Sequence, residues 1–559
     1  MAYHCLLLSD FNVESLANYL EADERQPRIT AAVGTFGQVE SSLIDASASV
    51  WTPAPECTVI WTQAQAVVPM FADVLSFRDV AMETLLAQVD KFAALVARAA
   101  DRSSLVLVPT WVAPAMQRGW GLLDFRPGKG IQAILAQMNL RLAEQLATCA
   151  NVLVLDTQRW LLAGGRHASA SKLWFMGKIP YGNEVLAEAA RDVRTAINTS
   201  LGQTRKIIVV DLDDTLWGGI VGDIGWESLI LGGHHHAGEA FVEFQRSLKA
   251  MTNRGIVLGI VSKNTESIAL EAIRKHPEMQ LNIDDFIGWR INWNDKAQNI
   301  IDLADELRLG LQSVVFLDDN PVERERVRSA LPEVLVPEWP KDPMLYAQAL
   351  RSLRCFDVLS ATEEDAARTR MYQAEKERAS ERQEAQSIET WLRGLETKVM
   401  VAPLGKSNLT RTAQLLNKTN QMNLQTRRMA EPELENWAAQ TGNYTWTFRV
   451  ADRLGDSGLT GISSLSMDGD VCVVRDFVLS CRVMGRQVED VMIAWLIGQG
   501  QVLGARQLVA ELLPTAKNQP CLDFMRQSRL AESNDLRFTF DLQHDYPQPD
   551  AITVIVEDE

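Results

Sequence analysis

The chain has 559 residues, 47% hydrophobic and 23% charged, with a formal net charge of −17. The length exceeds what one hydrophobic core organises and predicts roughly three to four domains. The acidic balance disfavours nucleic acid and anionic membranes as partners, both being of like sign. No apolar run reaches the roughly 18 residues of a membrane-spanning helix. The seven cysteines, odd in number and without a C-x-x-C pair, argue against a disulfide framework or a zinc site and for a reducing, cytoplasmic setting.

The opening residues lack the cationic stretch and cleavage site of a signal peptide and read as a first strand, Tyr3–Leu8. Strand-like runs follow at Thr58–Trp61, Ser104–Pro109 and Asn151–Leu155, with helical stretches around Thr84–Ala100 and Ile131–Ala150. This alternation predicts an α/β domain over 1–198, a mostly parallel sheet covered by helices.

The next segment is the most informative. Ile207-Ile208-Val209-Val210 is an apolar strand that ends in Asp211-Leu212-Asp213-Asp214-Thr215. Side chains alternate along a strand, so Asp211 and Asp213 leave it on the same side. The first carboxylate suits attack on phosphorus, and the second suits proton transfer to the leaving group. A hard cation, Mg2+, would sit between them and a phosphate. A strand followed by an acidic turn is the plain alternative. Three later segments outweigh it: a second apolar strand, Ile256–Ser262, ends in a hydroxyl; Lys296 opens a helix after Asn294-Asp295; and Val314-Val315-Phe316-Leu317 ends in Asp318-Asp319-Asn320. Between Thr215 and Ser262 there is room for a glycine-containing flap, Trp217–Ile230, and a helix, Ala240–Asn253, but not for a large cap domain. An uncapped site favours a substrate carried by a protein, since a phosphatase for free metabolites more often needs a lid against water. This domain is predicted over 199–355. His234-His235-His236 does not read as a metal site, because three consecutive side chains do not converge on one ion.

Residues 356–395 form a charged stretch that includes Ser360-Ala361-Thr362-Glu363-Glu364-Asp365 and reads as a solvated connecting helix with i,i+4 pairs. The last domain, 396–559, is predicted to hold strands at Lys398–Ala402, Tyr444–Val450, Val471–Val478 and Gln507–Glu511, and a helix near Val488–Gly500. The turn Cys481-Arg482-Val483-Met484-Gly485-Arg486 lies between strand and helix. It offers backbone N–H groups and positive charge to a pyrophosphate. Cys481 beside two arginines is either a reactive thiol or an inert cysteine at a strand end; both readings stand.

The strand-Asp, strand-Ser, Lys and strand-Asp-Asp succession resembles the haloacid-dehalogenase-like (HAD) superfamily of aspartate-dependent phosphotransferases. Within it the chain resembles the FkbH-like subgroup. The telling strings are Asp211–Gly219, Ser262-Lys263-Asn264, Phe316–Arg324, Gln414–Asn423, Ser480–Arg486 and Pro514–Asn518. The resemblance implies a multidomain α/β architecture: a HAD-like Rossmannoid parallel sheet flanked by an SGNH-hydrolase-like, non-catalytic N-terminal domain and a GNAT-like α+β acyltransferase domain. It implies the loading of a glyceryl unit from 1,3-bisphosphoglycerate onto the phosphopantetheine arm of an acyl carrier protein, with loss of both phosphates, in polyketide or surface-polysaccharide biosynthesis. It makes Asp211 nucleophile and metal ligand. Asp213 becomes general acid/base, with its backbone carbonyl on the metal. Ser262 and Lys296 hold the phosphoryl oxygens, and Asp318 and Asp319 bind Mg2+. Thr215, Lys263, Asn264, Arg482, Gly485 and Arg486 would contact substrate; with Val261 at the place of the family's cysteine, either another thiol such as Cys481 carries the acyl group, or the acyl passes directly to the carrier, or this member does not transfer glyceryl.

Three positions depart from the pattern. Val261 stands where many members have a cysteine. Phe11, in Ser9-Asp10-Phe11-Asn12, stands at the SGNH nucleophile's place. Gln487 replaces the last small residue of the GNAT loop, which puts ordinary coenzyme A binding in doubt. Arg324, Arg326 and Arg328, interleaved with Glu323 and Glu325, read as a solvated helix face ahead of a carrier-docking role. The second function class is a GNAT-type acyl-modifying enzyme or interaction platform with an accessory Mg-dependent HAD phosphatase.

Overall fold

The computed structural model describes residues 2–557 except Met116, Ala170, His234, Arg308, 360–367, Asn420, Ala516 and Asn534. His234 of the histidine triplet and the acidic 360–365 stretch thus lie outside the described residues. The chain divides into two compact units, Met1–Gln203 with Asp357–Leu359, and Thr204–Phe356 with Ser360–Glu559.

In the first unit, β1 (Tyr3–Ser9), β2 (Ile29–Val33), β3 (Cys57–Trp61), β4 (Leu105–Pro109) and β5 (Val152–Leu155) form a parallel sheet in the order β2-β1-β3-β4-β5. This is a doubly wound order. Every residue of β3 and β4 is buried, so both read as unbroken apolar runs, as strands covered on both faces do. The sequence reading passed over β2. It is an edge strand with Thr30, Ala32 and Val33 exposed, and its pattern carries neither a continuous apolar run nor clean alternation.

In the second unit, β6 (Ile207–Val210), β7 (Val257–Ser262), β8 (Phe286–Ile291) and β9 (Val314–Leu317) are parallel in the order β8-β7-β6-β9. The order reverses direction at β6, with β7 on one side and β9 on the other. Open parallel sheets hold ligands above such a reversal, at the C-terminal strand ends. Between Thr215 and β7 the described residues make a paired turn (Gly218 with Ile230), two short helical turns and the helix His236–Asn253.

The same unit carries a second sheet. Its strands are β10 (Thr397–Pro403), β11 (Met422–Asn423), β12 (Asn443–Asp452), β13 (Gly455–Asp468), β14 (Val471–Leu479), β15 (Gln507–Glu511), β16 (Ala531–Ser533), β17 (Arg537–Asp541) and β18 (Ile552–Val556). The order is β16-β17-β15-β14-β13-β12-β10-β18, with β11 on β14. β12, β13 and β14 are an antiparallel meander, whereas β14 and β15 run parallel. A parallel neighbour requires a crossover, and the helix Val488–Val502 supplies it, buried through Val491, Met492, Leu496 and Ile497.

The charged stretch before this sheet is anchored through Arg378, its other described residues being mostly exposed or half-buried. Its helix Arg368–Glu384 presents Arg378, which is 3% exposed, to Asp452, with both guanidinium contacts at 2.7 and 2.9 Å. Among the described residues no helix is long and apolar enough to cross a membrane.

A carboxylate–lysine cluster as candidate active site

β6 and β9 are neighbours and end at the same level, so their following residues meet. Asp211 follows β6 and Asp318 follows β9, and the Asp211 N–H donates to the Leu317 carbonyl at 3.0 Å. Lys296 arrives from the first turn of the helix Lys296–Glu306. Asp295 caps that helix by accepting from the Ala297 and Gln298 N–H groups. The Lys296 Nζ lies 2.9 Å from Asp211 Oδ2 and 2.6 Å from Asp318 Oδ2. Asp318 is fully buried and Lys296 is 3% exposed.

Asp211, Asp318 and Asp319 each offer a carboxylate oxygen within 4.8 Å of the others. Three negative charges thus face one ammonium. Asp211 Oδ1 is buried and has no hydrogen-bond partner among the described residues. Hard oxygen donors with uncompensated charge and an orphaned buried oxygen fit a hard cation such as Mg2+. The electrostatics agree. Burial, then the charge of Asp211, pushes the Asp318 carboxyl up to about 6. Burial opposes the Lys296 charge, but Asp211 and Asp318 outweigh it and hold that amine above its ordinary range. Burial also raises Asp319 and Asp213.

Asp213 is held on three sides. Its Oδ1 accepts from Trp217 Nε1 at 2.9 Å and from the Val221 N–H at 3.1 Å, and its Oδ2 accepts from Asn264 Nδ2 at 2.8 Å. The turn that allows this passes through Asp214 at φ 53, a left-handed conformation that Asp tolerates, and Asp214 Oδ1 accepts from the Gly219 N–H at 2.8 Å. Thr215 Oγ1 accepts from the Asp319 N–H at 3.1 Å and donates to Asp319 Oδ1 at 3.3 Å, tying the two strand ends together. Ser262 lies buried at the end of β7. Lys263 pairs with Glu323 at 2.6 Å.

Arg324 corrects the expectation of a solvated helix face. It is 8% exposed, and its Nη1 donates to the Asp318 and Asp319 carbonyls at 2.8 and 2.6 Å. It fixes the loop that carries both carboxylates. Arg326 is exposed and Arg328 half-buried on that helix, bound to Asp295 and to Glu325 and Glu338 respectively. Arg324, Trp217 and the grip of Asn264 on Asp213 carry no periodicity or spacing signal. Only the local density of Asp318-Asp319-Asn320 followed by arginine hints at the first.

The remaining sequence candidates lie elsewhere. Val261 is fully buried in the sheet core. The described histidines His235 and His236 stack on one another, with ring centroids 4.5 Å apart. Cys481–Val483 is a short turn after β14, and the Arg486 Nη1 there is engaged by Asp452 at 2.6 Å. In the first unit Phe11 is 1% exposed and packs edge-on against Trp61 and Tyr181, at 5.3 and 5.5 Å. Phe11 is thus part of a buried aromatic cluster.

Next to it, Asp10 accepts from the Gln63 N–H at 2.8 Å, and burial pushes its carboxyl up to about 6. A raised carboxyl binds its proton more tightly folded than unfolded. Its stability contribution is therefore largest below the unfolded value of about 4 and is lost as pH rises through about 6. Asp10→Asn keeps the acceptor oxygen and removes the charge. Thermal melts should show the variant more stable by about 2 kcal/mol at pH 8 and no more stable at pH 4. Equal gains at both pH values would refute the buried-charge explanation.

No family model and no curated protein matches the chain. Among solved structures, the chain is similar to the N-terminal part of a Bacteroides fragilis protein that contains a phosphatase domain, complexed with Mg. The identity is 28% over 64% of this chain and 95% of that one, with a TM-score of 0.57. A spermidine N-acetyltransferase from Vibrio cholerae, in complex with CoA and spermine, aligns with 26% of this chain and 96% of its own, at 12% identity and a TM-score of 0.22. The ribosomal-protein-S18-alanine N-acetyltransferase from Escherichia coli aligns with 26% and 94%, at 8% identity and a TM-score of 0.20. The first likeness and the carboxylate cluster together identify a HAD-like phosphatase domain with an aspartate-based site suited to Mg-dependent phosphoryl chemistry.

Proposed function

We propose that the chain removes phosphate from an acyl-phosphate substrate such as 1,3-bisphosphoglycerate and loads the glyceryl group on the phosphopantetheine arm of an acyl carrier protein. The observation that carries this reading is the Asp211–Lys296–Asp318–Asp319 cluster at a strand edge, where the described residues between Thr215 and Ser262 form short turns and one long helix. Such an edge admits a protein-borne arm, where a capped site would close on a free metabolite.

The residues divide the work. An Asp211 oxygen attacks the 3-phosphate, the phosphorus–oxygen bond to the glyceryl group breaks, and Asp213 gives its proton to the departing oxygen. Water then cleaves the aspartyl-phosphate, and Asp213 takes the water's proton. The raised Asp213 carboxyl, braced by Trp217, Val221 and Asn264, suits a group that must hold a proton and return it. Lys296, with Ser262, would neutralise and orient the phosphoryl oxygens. Asp211, Asp318, Asp319 and the Asp213 carbonyl would hold Mg2+, which supplies charge neutralisation for the transferring phosphoryl group. The carrier's thiol sulfur bonds to the carbonyl carbon, the bond from that carbon to the acyl phosphate oxygen breaks, and the thiol's proton leaves with the released phosphate.

Incubating the chain with Mg2+, 1,3-bisphosphoglycerate and a holo acyl carrier protein should release both phosphates and add a glyceryl thioester to the carrier, read by mass spectrometry. Phosphate release without carrier acylation favours the second reading, an accessory phosphatase beside another acyl activity. Val261 is the observation on that side, since it puts no thiol beside the site. Chelation should abolish turnover. Added Mg2+ should raise Tm, by linkage worth about 2.7 kcal/mol at a hundredfold excess over its Kd. Full turnover after exhaustive chelation would remove the metal from the reading.

A further inference from the structure

Three of the strings singled out in the sequence, Gln414–Asn423, Ser480–Arg486 and Pro514–Asn518, have no part in the phosphatase site. They meet in the C-terminal sheet. β14 and β15 pair in parallel only from Val471–Val474 against Gln507–Ala510, and beyond Val474 β15 no longer accompanies β14. A gap between parting parallel strands exposes the edge of β14, where an extended, amide-bearing ligand can add itself as a strand. The helix Val488–Val502 starts just after β14, and a helix start attracts an anion. Together these would suit coenzyme A: a pantetheine arm in the gap and a pyrophosphate at the helix.

Both places are taken by the chain. Met422 and Asn423 pair with Leu479 and Val478 of β14. The Leu424 N–H donates to the Phe477 carbonyl at 3.2 Å, and the Leu513 N–H, just past β15, donates to the Leu424 carbonyl at 3.0 Å. Residues 422–424 therefore bridge β14 to the chain that follows β15. Asn518 pins them, its Nδ2 donating to the Asn423 carbonyl at 3.1 Å and to the Leu513 carbonyl at 2.9 Å. Met422, Asn423, Leu424 and Asn518 are each at most 2% exposed.

At the helix start, the Gly485 N–H donates to Glu489 Oε1 at 2.7 Å. The Glu489 carboxylate is 6% exposed, and its Oε2 has no partner among the described residues. It occupies the Gly485 N–H that an anion at this helix start would use. Arg486, 3% exposed, turns inward to Asp452 Oδ2 at 2.6 Å and Ser457 Oγ at 3.3 Å.

We infer that the C-terminal domain works without coenzyme A, its ligand cleft closed by residues 422–424 in the strand gap and by Glu489 at the helix start. Met422 and Asn423, at the end of the first string, are then part of the plug, and Asn518, at the end of the third, is its pin. Gly485 and Arg486 belong to the closure and not to a substrate site. If the carrier-loading reading above holds, on which this consequence rests, the carrier's arm meets its acyl donor at the phosphatase edge, with no acyl-cysteine in the C-terminal domain.

The full chain, titrated with coenzyme A and with acetyl-coenzyme A, should give no calorimetric heat and no shift of Tm up to about 1 mM ligand. Saturable binding in the micromolar range would overturn the inference. In hydrogen exchange, the Leu424 and Leu513 amides should exchange as slowly as those of β14. Exchange at the rate of exposed loops would mean that the plug opens, and would overturn it too. Phosphate release by the same sample reports separately on the phosphatase reading. Coenzyme A binding with release intact sinks this inference alone. Absent release with a silent C-terminal domain sinks only the other.

Discussion

Asp211→Asn is expected to abolish release of the 3-phosphate from a phosphoglyceryl substrate such as 1,3-bisphosphoglycerate, a loss of several orders of magnitude, while the protein stays folded. The substituted amide cannot attack phosphorus, and no other carboxylate replaces it. Asp318 is fully buried and pinned to Lys296, and Asp213 is held by three donors. The fold should tolerate the change, because it removes one of three negative charges within 4.8 Å of one another. Tm should stay within about 3 °C of the parent. Release at the parental rate in a folded variant would take the nucleophile's role away from Asp211 and, with it, the phosphatase mechanism proposed here.

Lys296→Met is expected to damage stability as well as activity. Its ammonium is the counter-charge that touches both Asp211 and Asp318. With it gone, a fully buried carboxylate faces like charges, and breaking a buried pair from one side costs about 3–5 kcal/mol. Tm should fall by about 10 °C. Added Mg2+ should recover more of the loss here than in the parent, since a cation can take over part of the missing charge. Acid should recover part of it as well. Burial and the charge of Asp211 raise the Asp318 carboxyl and Lys296 holds it down, so without Lys296 it is raised further and sheds its unfavourable charge as pH falls. An unchanged Tm at neutral pH would show that Lys296 is not the counter-charge of the cluster.

The strands that build this cluster were legible because their signal is local. β6, β7 and β9 are buried over their whole length, so each appears as an apolar run, and each run ends in the polar residue that it delivers. The buried face of a parallel sheet and the abrupt switch to Asp211, Ser262 or Asp318 are both properties of a few consecutive residues. β13 was not legible for the opposite reason. Gly455–Asp468 is rich in glycine and serine, yet Ser463 and Ser464 are fully buried in the middle of the sheet. Its strand state comes from pairing with β12 and β14 on both sides, not from its composition.

What the sequence by itself determined was which residues end the strands, and so which chemistry stands at the edge of the HAD-like sheet. Tertiary structure alone decided what each charged or motif residue touches. Arg324 and Arg326 are two positions apart and alike in sequence, but one turns under the loop to hold two carbonyls while the other meets solvent. Arg378 looks like any residue of a solvated charged helix until Asp452, more than seventy residues later, receives it. Met422–Leu424 and Asn518 are conspicuous strings whose task appears only when β14 and β15 part. The physical reason is range. Strand propensity and an abrupt polar ending are set by neighbours along the chain. Burial of a charge or the filling of a gap depends on groups brought together by folding, whose separation in sequence carries no trace of the contact.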